Sequence, residues 1–449
     1  MSNIIKLKKG LNIKLLGEAE KTVVDINSDF FALKPTDFIG VFPKLMVKEG
    51  DEVKAGTVVF YDKYRQDILF SSPVSGTITE IKRGPKRLLE EIRIKANGKS
   101  EYESFKVSDP KKLSKEEITE LLRKSGIWPC LRQRPYSVIA NPGDDPKAIF
   151  ISAFDTAPHG LDYDFIVHGK GELFQKGLDA LKKLTSGKVH LNVNPQETTS
   201  RVFHKSKDVQ INQFTGPHPA GNVGIQIHHI DPINKGDIVW YLNPQDVLII
   251  GKFFTEGKYD ASCMISMSGS EVLKPRYYKT IKGTSVKPIL DKNIKDGEHR
   301  YISGNVLTGR KIQQEGYIGY YDYQLSVIPE GNYYEFLGWA LPGLGKFSVS
   351  RSFTSWMCTS KKYSIDTNLH GGERAFVLSG EYEKVLPMDI FPVHLLKAIL
   401  AEDIDLMENL GIYEVDEEDF ALCEFVCTSK INSQGIIRKG LDLMRKEMS

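Results

Sequence analysis

Cysteine is scarce in this chain: five residues among 449, at Cys130, Cys263, Cys358, Cys423 and Cys427. An odd and mostly scattered set excludes a disulfide framework and fits a compartment where thiols stay reduced, so the chain is expected in the cytoplasm. Long apolar runs are missing too. The richest, VLIIGKFF from Val247, is broken by Gly251 and Lys252 and falls short of the roughly 18 residues that cross a bilayer. The opening MSNIIKLKKGLNIKLLG alternates aliphatic and charged residues. It lacks the continuous apolar region of a signal peptide, so secretion is not expected. An excess of one charge is also lacking. Sixty Lys and Arg stand against 58 Asp and Glu, which argues against nucleic acid as the main partner.

What is present reads as an ordinary folded protein, 41% hydrophobic and 26% charged, long enough for three or four domains. From Asp37 to Lys95, Val- and Ile-rich segments alternate with glycine turns, as in a compact β unit. Its phrases VKEGDEVKAG, from Val47, and SPVSGTI, from Ser72, resemble the barrel-sandwich fold of biotinyl and lipoyl domains. Ser114 and Glu117 form a capping-box pattern ahead of a short helix. Ile149–Ser152, Phe165–His168 and Val189–Val193 read as strands, and Glu172–Leu184 as an amphipathic helix, which together suggest a βαβ unit on a parallel sheet. From about Gly269 to Pro329 β segments return, and RYISGNVLTG from Arg300 resembles the soluble-ligand-binding β-grasp module. Helices are expected over Ile390–Asn409, from Asp416 with Asp419, and over Gly435–Glu447. The fold class is therefore multidomain α+β and α/β. An N-terminal segment plus a barrel-sandwich domain occupies 1–100, and a Rossmann-like α/β domain 101–262. A β-grasp domain follows over 263–335, and a connecting segment with a helical domain over 336–449.

Several familiar chemistries are argued against residue by residue. Lys63 follows a Gly-Asp turn and precedes a Ser-Pro-Val-Ser-Gly return strand much as a lipoyl lysine does, but Tyr64–Asp67 lengthen the hairpin and no Ala/Pro linker lets the domain swing. Gly169-Lys170-Gly171 has Phe174 where a dinucleotide fingerprint needs its third glycine, and it reads as a plain helix start. Seven of ten histidines lie between His159 and His229. They lack zinc spacing, and adjacent His228 and His229 would point to opposite faces of a strand. No metal site is expected. Cys423 and Cys427, four apart on a helix, are half of a site at most and read as buried packing thiols.

Longer phrases carry a resemblance over nearly the whole chain. GLNIKL, the two phrases above, RPYSVIANPGDDPKAIFISAFDT from Arg134, FTGPHPAGNVGIQIHHIDP from Phe214, VWYLNPQDVLIIGKFF from Val239, RYISGNVLTG and CEFVCTSK are similar to the A-subunit family of sodium-pumping NADH:quinone reductases. The resemblance extends to one component of the Rnf electron-transfer complex and to the FMN-binding component of respiratory complex I. Here, however, only Cys423 and Cys427 stand where the former has cysteine quartets, and the glycine-rich FMN loop of the latter is missing. The resemblance implies a peripheral component on the cytoplasmic side of the bacterial inner membrane. The implied six-subunit complex oxidises NADH, reduces ubiquinone and exports sodium. It implies membrane subunits as partners, the B-subunit above all, and flavins and iron–sulfur centres on partner subunits. No cofactor is expected to be covalently bound here. Two roles stay open: contribution to a ubiquinone site, or a non-catalytic scaffold docked on the membrane subunits. For the first, the candidate residues are His218, Gly221, His228 and His229, in a Pro/Gly loop followed by an aromatic-polar segment. The isolated chain is not expected to be catalytic.

Overall fold

The computed structural model describes residues 4–338, 340–358 and 360–448. Among these, the strands form four sheets. Phe30–Leu33, Leu89–Ala96, Gly76–Arg83 and Glu52–Val53 make one antiparallel layer, and Pro43–Leu45, Val58–Asp62 and Leu69–Ser71 another. Phe60 and Phe70 stack at 4.2 Å within this barrel sandwich. The turn after Val58–Asp62 carries Lys63 on the surface, while its neighbour Arg65 donates to Asp62 (3.0 Å) and to the Ile139 carbonyl (3.1 Å). That tether docks the hairpin on the next domain.

The α/β domain is built on a seven-stranded sheet among the described residues. Ile4–Lys6, Gln210–Thr215, Lys188–Val193, Ala148–Ser152 and Val239–Tyr241 run parallel in that spatial order, followed by the antiparallel pair Arg132–Arg134 and Val138–Ile139. Strand alternation divides the interior in two. Ile149, Ile151 and Trp240 belong to a core shared with the barrel sandwich and the β-grasp sheet, whereas Phe150, Val239 and Tyr241 face the C-terminal helices. On the first face the helices Gly171–Lys183 and Pro244–Glu256 lie unusually close. A Cβ on Gly177 would meet the Val247 carbonyl oxygen at 2.2 Å, and one on Gly251 the Leu173 carbonyl oxygen at 1.8 Å. Only glycine permits this contact.

Three expectations need correction. Phe165–His168 is not a strand: Tyr163–Val167 is a helix, with the Asp162 carboxylate accepting the Phe165 amide at 2.9 Å. A four-residue apolar run has no period of its own, and the cap decides its form. His228 and His229 lie on the helix Val223–Ile230, not on a strand. The helix expected over Ile390–Asn409 is two, Pro392–Leu400 and Ile404–Asn409, because Asp403 caps a new start by accepting the Leu406 amide at 3.0 Å.

The β-grasp sheet runs Arg310–Ile312, His299–Ser303, Gln324–Pro329, Ser262–Ser268, Arg276–Ile281 and Glu20–Asp25. The N-terminal segment thus supplies an edge strand to each of two later domains, Ile4–Lys6 to the α/β sheet and Glu20–Asp25 here. At the expected helix start, Asp416 and Asp419 form a capping box on the 3-10 turn Glu417–Phe420, which leads into the helix Ala421–Val426. The last helix is Ser433–Met448.

Candidate functional site

In an open α/β sheet, ligands settle beyond the carboxyl ends of strands where successive connections leave in opposite directions. Here that point lies between Ala148–Ser152, whose chain continues to Lys188–Val193 on one side, and Val239–Tyr241 on the other. A cavity of about 370 Å³ opens there. Ser152, Phe154, Asp155, Tyr241 and Asn243 form its floor, Gly304 to Gln324 of the β-grasp domain one wall, and Asp416, Glu417 and Glu418 another. The volume lies in the usual range for small-molecule sites.

Where a phosphate would be held in a nucleotide-binding relative of this fold, the loop after Ala148–Ser152 is occupied by its own side chain. The Asp155 carboxylate accepts the amides of Ala157 (2.9 Å) and Leu161 (3.2 Å), and burial pushes its pKa up. Asp37, Asp322, Asp416, Glu417 and Glu418 add carboxyls to the lining, against the cations Arg132 and Arg310. A phosphate or pyrophosphate does not suit these walls.

Arg132 is the exception in this acidic setting. It sits opposite Tyr241 in the antiparallel register, and its guanidinium lies between the rings of Tyr241 (4.5 Å) and Tyr321 (4.6 Å). Stacking on both faces fixes the plane and leaves the N–H donors at the edge. Among the described residues no carboxylate or carbonyl accepts from that edge. The tyrosine hydroxyls are otherwise engaged: Tyr321 donates to the Pro129 carbonyl (2.8 Å), Tyr323 to Asp246 (2.6 Å), and Tyr241 meets Ser137 Oγ (2.7 Å). Ser137 in turn donates to Asp416. Two residues along the same strand, Arg134 is 1% exposed and tied to Asp419 and Glu418, each at 2.7 Å, with Asp416 at 3.7 Å. Burial pushes Glu417 up to about 7 and Glu418 likewise to about 7 against the pull of Arg134. Both carboxyls can exchange protons near neutrality.

The four residues singled out from sequence separate into two pairs. His218 and Gly221 line the cavity. Thr156 Oγ1 joins them, 3.1 Å from His218 Nδ1 and accepting the Gly221 amide at 2.9 Å. Burial lowers the His218 pKa to about 4, so it is neutral. His228 and His229 lie elsewhere, against the C-terminal domain. The Asp389 amide donates to His228 Nε2 (3.0 Å), which puts the ring proton on Nδ1, donating to Glu414 (2.6 Å). His229 Nε2 donates to the Pro387 carbonyl (2.8 Å). Lys170, in the glycine pair, caps the Ile166 carbonyl (2.9 Å) and is not part of the cavity. Cys423 and Cys427 are buried in the helical domain. Arg132, Tyr241, Tyr321 and Glu418 were not singled out from sequence. The available signals were the Arg-Gln-Arg alternation, the tyrosine run Tyr320, Tyr321 and Tyr323, and the acidic run from Asp416.

Three family models match the chain: "NqrA N-terminal barrel-sandwich hybrid domain" over residues 5–97, "NqrA second alpha/beta domain" over 113–259, and "NQRA C-terminal domain" over 264–314. The chain is 40% identical over 448 residues to the A-subunit of the Na(+)-translocating NADH-quinone reductase of Pasteurella multocida, covering 99% of this chain and 100% of that one. It is 39% identical to its counterpart in Yersinia pestis bv. Antiqua and 38% to that of Histophilus somni, with the same coverage. Among solved structures, an NAD+-reducing [NiFe]-hydrogenase in its H2-reduced state aligns with a TM-score of 0.39 at 11% identity, over 75% of this chain and 62% of that one. That likeness is too low to carry an argument.

Proposed function

The chain belongs to the A-subunit family of Na+-translocating NADH-quinone reductases, and from that premise we propose that it seats a quinone head group in the cavity between its α/β, β-grasp and helical domains. As a member of the family it is one component of that complex, and the other components are its partners. No helix among the described residues is long and apolar enough to cross a membrane. In this reading the chain docks on the cytoplasmic side, on membrane subunits that include the B-subunit, and the flavins and iron–sulfur centres reside on partner subunits.

The observation that carries the reading is Arg132. A planar cation clamped between two tyrosine rings, with its edge donors unclaimed, suits a flat neutral ligand bearing carbonyl oxygens. The filled phosphate seat at Asp155 disfavours the nucleotide alternative. Reduction of a quinone to a quinol takes up two electrons and two protons. Glu417 and Glu418, titrating near neutrality, are suited to relay those protons.

The test is a titration of the purified chain with a short-chain ubiquinone analogue, repeated with Arg132→Met and His228→Gln. Saturable binding that Arg132→Met weakens about tenfold or more, by loss of a charged hydrogen bond, and that His228→Gln leaves intact supports the reading. Absence of saturable binding in the wild-type chain leaves the scaffold role.

A further inference from the structure

Residues 336–362 contain no Asp or Glu and four cations, Lys346, Arg351, Lys361 and Lys362. The same stretch displays large apolar side chains: Phe336 is 89% exposed, Leu344 and Met357 62% each, Leu341 52% and Trp356 47%. Trp128 and Trp240, by contrast, are fully buried against each other. Apart from the 3-10 turn Thr354–Met357, the described residues of the stretch form neither helix nor strand.

Its base is fixed to the body of the protein. Phe347 packs on Tyr363 (5.4 Å) and Phe425 (5.7 Å), and Tyr363 exchanges backbone hydrogen bonds with Lys14 (2.8 Å) and Leu16 (2.9 Å). Lys346 pairs with Glu335 and Lys362 with Glu18. Arg351 stacks over Trp356 at 5.1 Å, and Lys361 donates to the Leu344 carbonyl at 2.6 Å. Neither of these two has a carboxylate partner among the described residues.

We propose that residues 336–362 dip into an anionic lipid surface, with Phe336, Leu341, Leu344, Trp356 and Met357 entering the headgroup region and Arg351 and Lys361 meeting lipid phosphates. The core of a protein–protein interface is poor in lysine. Aromatic and aliphatic tips interleaved with cations, with no acid among them, are what an anionic membrane boundary selects. The family's complex is membrane-bound, which brings such a surface within reach. The inference rests on family membership and on this stretch, and is independent of the quinone reading.

The test uses the full chain with vesicles of phosphatidylcholine alone, or mixed with phosphatidylglycerol, followed by co-sedimentation and by quenching of tryptophan fluorescence with brominated lipid. Binding to the mixed vesicles, weakened by salt, and quenching reduced in Trp356→Phe are expected. Arg351→Gln with Lys361→Gln should weaken binding about 25-fold, roughly fivefold for each cation. Phe336→Ser, Leu344→Ser and Met357→Ser together should weaken it about tenfold or more, with the melting temperature as the check on folding. The proposal is overturned if the wild-type chain ignores mixed vesicles, or if the triple variant binds them as well as wild type. Binding only to the detergent-solubilised membrane subunits, with none to vesicles, assigns the stretch to a protein partner and equally overturns it.

Discussion

Consider the replacement of Arg134 by Met, which keeps an unbranched apolar stem and removes the guanidinium and its charge. Arg134 bridges the α/β sheet to the C-terminal domain through Asp419, Glu418 and Asp416. Asp416 and Asp419 are buried with it. The variant removes the cation bonded directly to Asp419 and Glu418, and breaking a buried pair from one side costs about 3 to 5 kcal/mol. At about 2 to 4 °C per kcal/mol for domains of this size, the unfolding transition that reports this interface should fall by about 6 to 20 °C near pH 8. The pH dependence follows from the sign of the shift. Burial already raises Asp419, with Arg134 opposing it. Without that cation the folded-state pKa of Asp419 climbs further above the unfolded value of about 4. A carboxyl raised in the folded state destabilises above its folded pKa and ceases to do so below its unfolded pKa, so the deficit should shrink as pH falls from about 8 toward 5. The assay is thermal melting of wild type and variant across that range, with hydrogen exchange at the Ala421–Val426 amides to locate the loss. Arg134→Met combined with Asp419→Asn and Glu418→Gln should recover much of the stability. A deficit under about 1 kcal/mol, or one that does not vary with pH, would refute this account of the interface.

Further outcomes follow from the same geometry. Gly251→Ala should lower the melting temperature by a cost of about 1 to 3 kcal/mol, because its Cβ would lie 1.8 Å from the Leu173 carbonyl oxygen; unchanged melting would mean the two helices can part freely. His218 is buried neutral with its pKa lowered to about 4, so its stabilisation is complete above the unfolded value of about 6.5 and is lost as pH falls toward 4. His218→Gln should therefore show a smaller acid-induced loss of stability than wild type in urea titrations at pH 7.5 and pH 5. Asp155→Ala leaves the Ala157 and Leu161 amides without their acceptor and should lower the melting temperature by a cost of about 1 to 3 kcal/mol, with no rescue by added phosphate. Ser114→Ala removes one half of a capping box, in which the hydroxyl accepts the Glu117 amide at 3.2 Å. It should cost about 1 kcal/mol, read as faster hydrogen exchange in the first turn of Lys115–Lys124.

Local signals in this sequence were read well where one interaction decides the outcome. Ser114 with Glu117 and Asp416 with Asp419 each announced a helical start, and the apolar runs Ile149–Ser152 and Val189–Val193 on either side of an amphipathic helix announced parallel strands. Reading failed where a short apolar run took its form from a neighbour. Phe165–His168 became helical because Asp162 caps it, and the stripe over Ile390–Asn409 broke because Asp403 started a new helix. The N-terminal edge strands were invisible for a different reason: Ile4–Lys6 pairs with Gln210–Thr215, about two hundred positions away, and contacts of that span leave no local pattern. The cavity combines both problems. Its phrase from Phe214 drew attention to His218 and Gly221, which do line it, but its walls also come from Arg132, from the tyrosines after Gly319 and from the acidic run at Asp416. No single window contains them.

Arg132 and Arg134 make the difficulty concrete. They are the same residue type, two apart on one strand, and strand alternation turns both toward the same face, where each guanidinium lies over the Tyr241 ring, at 4.5 and 5.6 Å. Nothing local distinguishes them. What does is the chain that arrives from elsewhere: Asp416–Asp419 closes over Arg134 and neutralises it, while Tyr321 covers the second face of Arg132 and offers no acceptor to its edge. One arginine is thereby spent on holding two domains together, and its loss is felt as instability. The other is fixed in plane without being satisfied, and its loss should be felt in ligand binding with little change in stability. On the proposed quinone reading, two charges in one row divide into a structural role and a binding role according to what long-range packing brings to each.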